Sequence, residues 1–172
     1  MSLELYHIIG IIFTLIFGTL LHYTYNWSGK NKIIGIFSPI NESIWEHLKL
    51  LFTPVLIYSI VEFIGYGRKY SNFIPIKAIS IVMGLLTIIT VYYCYTFFTK
   101  RNYLWVDIGV FVLSVLVFNY FSYFLLKTNY FSSNYYNFIG WAIIIGLFLL
   151  FFMFTFKAPK LLIFKEPDKK KF

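Results

Sequence analysis

Leu3 to Tyr25 reads LELYHIIGIIFTLIFGTLLHYTY, with Glu4 its sole acidic residue and no Lys or Arg. A hydrocarbon core about 30 Å thick is crossed by about 20 apolar residues in a helix. The stretch therefore reads as a membrane-spanning helix. Applied outward, the same criterion finds four more spans, at Leu48–Tyr66, Ile76–Phe98, Val106–Leu126 and Phe138–Phe156. The expected fold is all-α, an integral membrane helical bundle of five transmembrane helices. It forms a single domain over 1–172 with a basic tail at 157–172.

Composition agrees with lipid as the main solvent. Of 172 residues, 59% are hydrophobic and only 13% are charged, against about 25% charged in soluble domains. So few charges could not cover a soluble core of this size. The opening MSLELYH has no basic n-region, so the first span is expected to stay rather than be cleaved. Cys94 is the single cysteine, which excludes a disulfide framework and a Cys-rich zinc site; it reads as a buried small residue. The Phe, Tyr, Ile, Asn and Lys bias points to an A/T-rich bacterial genome, and so to a multi-pass protein of the bacterial cytoplasmic membrane.

An odd number of spans puts the termini on opposite sides, so loop charge sets the orientation. Eleven basic residues (Lys30, Lys32, Lys49, Lys100, Arg101, Lys157, Lys160, Lys165, Lys169, Lys170 and Lys171) fall on the side of the first loop, third loop and tail. Four, Arg68, Lys69, Lys77 and Lys127, fall on the other. The positive-inside rule then gives N-out, C-in. This explains the net charge of +8, and no nucleic-acid-binding module is present to need it. The tail KAPKLLIFKEPDKKKF would rest on an anionic leaflet at about 1 kcal/mol per well-placed Lys.

Polar chemistry concentrates in SPINESIWEHLKL, residues 38–50, at the mouth of the second span. Ser38 before Pro39 suits a helix N-cap, and Asn41 or Ser43 suits a later start. Ser43 with Glu46 fits a capping box. At helical spacing Glu42, Glu46 and Lys49 share a face. Pro54 removes a backbone bond further in and is expected to kink the helix. In the first span Gly10, Thr14 and Gly18 form a small-residue row that lets helices approach, and the row continues to His22. These features bring His22, Asn41, Glu42, Glu46 and His47 together as a candidate polar cluster.

Asp107 opens the fourth span at the same depth, where it either favours the helix dipole or joins the cluster. His7 and Glu62 are placed as an outer pair, and Asn119 as interhelical glue. Trp27, Trp45, Trp105 and Trp141 read as interfacial anchors. The spacing matches neither Glu-x-x-His nor His-Glu-x-x-His. No metal and no cofactor are therefore assigned; His22, Glu46 and His47 are the candidates should a metal be present.

The stretch LLHYTYNWSGKNKIIGIFSPINESIWEHLKLLFTP, with the late FKAPKLLIFKEPDKKKF, resembles a family of small bacterial membrane proteins catalogued as a domain of unknown function, number sixty-five twelve. The specificity lies in the Asn-Glu-Ser-x-Trp-Glu-His block. The resemblance implies a multi-spanning bacterial protein and no activity. The leading functional expectation is a module that binds a lipid or small amphiphilic molecule at a polar rim, as a homo-oligomer or an accessory subunit. A membrane-embedded enzyme acting on a lipid-like substrate, metal-dependent or not, is the alternative, and a structural subunit is the third reading.

Overall fold

Seven helices follow one another along the chain in the computed structural model, which describes residues 1–167. They are α1 Leu3–Trp27, α2 Lys32–Phe37, α3 Ile44–His47, α4 Lys49–Gly65, α5 Phe73–Thr99, α6 Leu104–Leu126 and α7 Asn134–Phe156. No strand occurs among the described residues. Five units are long and apolar enough to cross a membrane: α1, the α3–α4 pair, α5, α6 and α7. The last part of the expected tail, 168–172, lies outside the described residues.

Four of these units begin two to four residues before the expected spans, because helical backbone continues past the window that hydropathy marks. Ser133 caps α7, for instance, in an extended conformation one residue before Asn134. A larger departure is the first loop. Residues 32–37, expected to be irregular, form α2, whose N-cap Asn31 accepts from Ile33 N–H at 2.8 Å. This short helix folds back against α1 and α7.

The centre of the bundle is α4. Lys49 through Val55 are all buried, and Leu51 is wholly inaccessible. It packs against α1 and α5, while α5 in turn packs against α6 and α7. Leu48, Leu51, Val55, Ile81, Leu85, Val115, Phe118 and Phe151 form the main core between them.

The α1–α4 seam follows from two residues. Pro54 has no N–H, so the carbonyl of Leu50, one turn earlier, loses its helical donor. Gly18 sits directly over that carbonyl: a Cβ built on Gly18 would lie 2.5 Å from Leu50 O. Gly10 and Thr14 are buried on the same stripe, as the small-residue row predicts. The residue that removes a hydrogen bond from one helix thus meets the one residue of the other small enough to cover the gap.

Two expectations change. Trp45 is not an interfacial anchor. It is partly buried, because the tail folds over it, and its ring packs at tilted and edge-on angles against Phe151, Phe154 and Phe164. Cys94 is exposed rather than buried, because α5 turns that flank away from its neighbours. Trp27, Trp105 and Trp141 are exposed, as anchors would be.

Replacing Gly18 with Val should force the seam apart, because the Leu50 carbonyl and the Phe111 ring both stand in the way and the carbonyl is backbone that cannot swing aside. The expected loss is about 1–3 kcal/mol, read as a lowered unfolding midpoint in detergent. Ile12→Val, on the exposed face of the same helix, should leave the midpoint unchanged.

Candidate functional site

The chain between α2 and α4 decides which polar groups meet. Ser38 does not start a helix. It ends α2 in an extended conformation (φ −122°, ψ 157°), as the clash with Pro39 requires. Asn41 Oδ1 then accepts from Ser43 N–H at 2.9 Å, and Ser43 Oγ accepts from Glu46 N–H at 3.4 Å as the N-cap of α3. The return half of the expected capping box is not made by Glu46. Its Oε2 instead accepts from Ile40 N–H at 3.0 Å and from Lys49 Nζ at 2.7 Å.

This parts two residues that helical spacing had placed on one face. Glu42 precedes the helix, and the helical run is interrupted at Leu48. Glu46 and Lys49 turn inward and are buried. Lys49 Nζ also donates to Gly35 O at 2.9 Å and to Thr155 Oγ1 at 2.6 Å, and Thr155 in turn donates to Phe151 O. Glu46 therefore leaves the expected cluster for a lock that joins α2, α3, α4 and α7. Asn41 acts as a turn cap.

Glu42 is brought instead to the two histidines. His47 Nε2 lies 3.4 Å from Glu42 Oε2, and His22 Nε2 lies 4.0 Å from Glu42 Oε1. The His22 and His47 ring centres are 5.2 Å apart. His47 Nδ1–H donates to Ser43 O at 2.9 Å, which fixes the ring and turns Nε2 toward Glu42. The small-residue row of α1 ends here, with His22 partly buried at the end of the bundle that carries the first loop, third loop and tail.

These three residues and Asp107 line one cavity of about 170 Å³ at that end. Leu50, Ile88, Leu104, Val110 and Phe111 form its apolar wall, and Pro167 of the tail reaches it. Asp107 accepts a hydrogen bond from Tyr95 OH, which ties α6 to α5. A second cavity, of about 310 Å³, is walled by α1, α2, α4 and α7. Phe17, Leu21, Phe52 and Phe151 are among its lining residues, and its surface is almost wholly apolar.

The opposite end holds a separate polar assembly. His7 and Glu62, paired from the sequence, lie 3.9 Å apart. Lys77 Nζ donates to Glu62 Oε2 at 2.5 Å and Tyr66 OH donates to Glu62 Oε1 at 2.7 Å. Asn119 Oδ1 lies 3.4 Å from His7 Nδ1, and its amide donates to Val115 O. Burial and then the Glu62 charge push the Tyr66 hydroxyl up from its ordinary range, so it stays a donor. Sequence reasoning missed Lys77 and Tyr66. Lys77, the second residue of the expected third span, reads as one more charge at the membrane edge, and nothing in the sequence pairs it with Glu62.

The whole chain, residues 1–172, matches the Family of unknown function (DUF6512), and it belongs to that family. No curated protein and no solved structure matches it.

Breaking the lock on one side only should be costly. Glu46→Gln leaves the Lys49 ammonium buried without its counter-charge, at an expected cost of about 3–5 kcal/mol. Glu46→Gln with Lys49→Met removes both charges and should recover most of that loss. Thermal unfolding of the two variants in detergent measures the difference.

Proposed function

We propose that this membrane protein binds a small amphiphilic molecule in the cavity formed by α1, the 41–47 turn, α5 and α6. The polar corner of His22, Glu42, His47 and Asp107 takes the head group. The first methylenes run along Leu104, Val110 and Phe111. One observation carries this reading: a single cavity is lined both by ionisable groups and by large apolar side chains. A site for a freely soluble polar molecule would not need that wall, and a purely structural cluster would not leave the space.

The same reading sets the protein in a bacterial cytoplasmic membrane, N-out and C-in, with the cavity at the cytoplasmic end. Support comes from exposed cations. Lys30, Lys32, Lys100, Arg101, Lys157, Lys160 and Lys165 are exposed at the cavity end, against Arg68, Lys69 and Lys127 at the other. Lys49 and Lys77, one from each side, are buried and drop out of the count. The asymmetry survives their removal.

Binding is tested by native mass spectrometry of the full chain, released from a maltoside detergent in the presence of decanoate or decylamine. A saturable one-to-one adduct with either probe is expected. Leu104→Trp, which fills the cavity from an exposed position, should abolish it. No saturable adduct, or one that Leu104→Trp leaves intact, would rule the cavity out as the site. Orientation is tested separately: a carboxy-terminal green fluorescent protein fusion should fluoresce in cells, and a carboxy-terminal alkaline phosphatase fusion should be inactive.

A further inference from the structure

We propose that His22, Glu42 and His47 bind a divalent transition-metal ion of the zinc class at the mouth of this cavity. Three separate pieces of chain converge there: the end of α1, the turn before α3, and α3 itself. One donor atom from each falls within 4.8 Å of the others. Zinc bonds of about 2.0–2.1 Å to nitrogen and oxygen put tetrahedral ligands about 3.3 Å apart. The His47–Glu42 edge, at 3.4 Å, already has that length. Small rotations of the His22 ring and the Glu42 carboxylate bring the other edges in. Glu42 is half-exposed, so an ion has a way in and its remaining solvation is not lost.

The supporting groups match what a metal site requires. A ligating imidazole donates its second nitrogen to a carbonyl or carboxylate, which fixes the ring and raises the basicity of the ligating nitrogen. His47 does this through Nδ1–H to Ser43 O. The turn that presents Glu42 is held on both sides, by Asn41 Oδ1 on Ser43 N–H and by Ser43 Oγ on Glu46 N–H. On His22 the nitrogen turned toward Glu42 is Nε2. Its buried Nδ1 has no hydrogen-bond partner among the described residues, so a water is the group that would support the ring from that side.

Donor chemistry narrows the metal. Two imidazoles and a carboxylate, without a thiolate, suit zinc, iron, nickel or copper rather than magnesium or calcium. Three protein ligands on a tetrahedral ion leave one position for water or a ligand oxygen. Asp107 lines the same cavity and adds a second carboxylate to it. This inference deepens the binding reading above and rests on the same cavity, but it is measured apart from it.

The test uses the full chain, free of any histidine tag, purified in detergent, loaded with zinc chloride and dialysed against metal-free buffer. One zinc per chain is expected by elemental analysis. Cobalt chloride in its place should give the visible absorption of a four-coordinate ion. His22→Ala and His47→Ala should each lower zinc affinity by more than the 10–100-fold that a lost supporting partner costs, by about a hundredfold or more. Glu42→Gln should lower it too. Where an alanine variant fails to fold, His22→Gln and His47→Gln serve instead. Leu104→Trp should keep its zinc while losing decanoate. A wild-type chain that retains no zinc and shows no four-coordinate cobalt spectrum overturns the metal site, whether or not decanoate binds. So does zinc that survives His22→Ala and His47→Ala alike.

Discussion

A buried ammonium organises the part of this protein that is not simply a bundle of apolar helices. Lys49 Nζ gathers the carbonyl of Gly35, the Glu46 carboxylate and the Thr155 hydroxyl around itself. Those groups come from α2, α3 and α7. An isolated cation at that depth would cost several kcal/mol, so the chain must supply its partners. Supplying them fixes where the first loop runs. Glu46 is held by Lys49 and by Ile40 N–H, and the turn at 41–43 is consequently drawn tight. Glu42, on the outer side of that turn, is pushed toward α1. The buried pair need add little net stability to matter, because what it sets is position.

The second constraint works on the other helix. α1 can deliver His22 to the turn only if its axis lies close to α4, and that closeness rests on Gly18 over the carbonyl that Pro54 leaves without a donor. A larger residue at 18 would hold the helices apart at the level of Leu50. His22 lies four residues further on the same stripe, so the loss would be felt there. Packing at the seam and the geometry of the polar corner are thus one problem. The cavity lies where α1, held close to α4 at Gly18, meets Ile88 of α5 and Val110 and Phe111 of α6.

The five long helices were legible in the sequence because lipid imposes length and apolarity that no other constraint mimics. His22 was legible through the i+4 row of Gly10, Thr14 and Gly18, which marks the face turned to protein. Glu46 was not. Helical spacing joined it to Glu42, whereas the helix begins only at Ile44. The reason, a lysine satisfied by carbonyls fourteen and eleven residues earlier, is visible only once the loop is folded. Lys77 escaped for a similar cause. Its place at the edge of the third span marks it as a flanking charge, whereas α5 begins a turn earlier, at Phe73, and sets Lys77 inside the bundle beside Glu62.

The two polar ends of the bundle differ in a way that favours one of them as the proposed site. At the far end each side chain finds its complement within the protein. Glu62 receives Lys77 on one oxygen and Tyr66 on the other, His7 lies between Tyr66 and Asn119, and the Lys77 cation faces the rings of Phe73 and Phe118. Nothing there asks for a further group, and the residues are buried. At the tail end the same residue types stand around a space. The His22 and His47 rings converge on one carboxylate, and Asp107, held by Tyr95, lines the same cavity. A charge network that closes on itself serves the fold. One that closes around a gap, with a route to solvent past Glu42, has the form of a place where something binds.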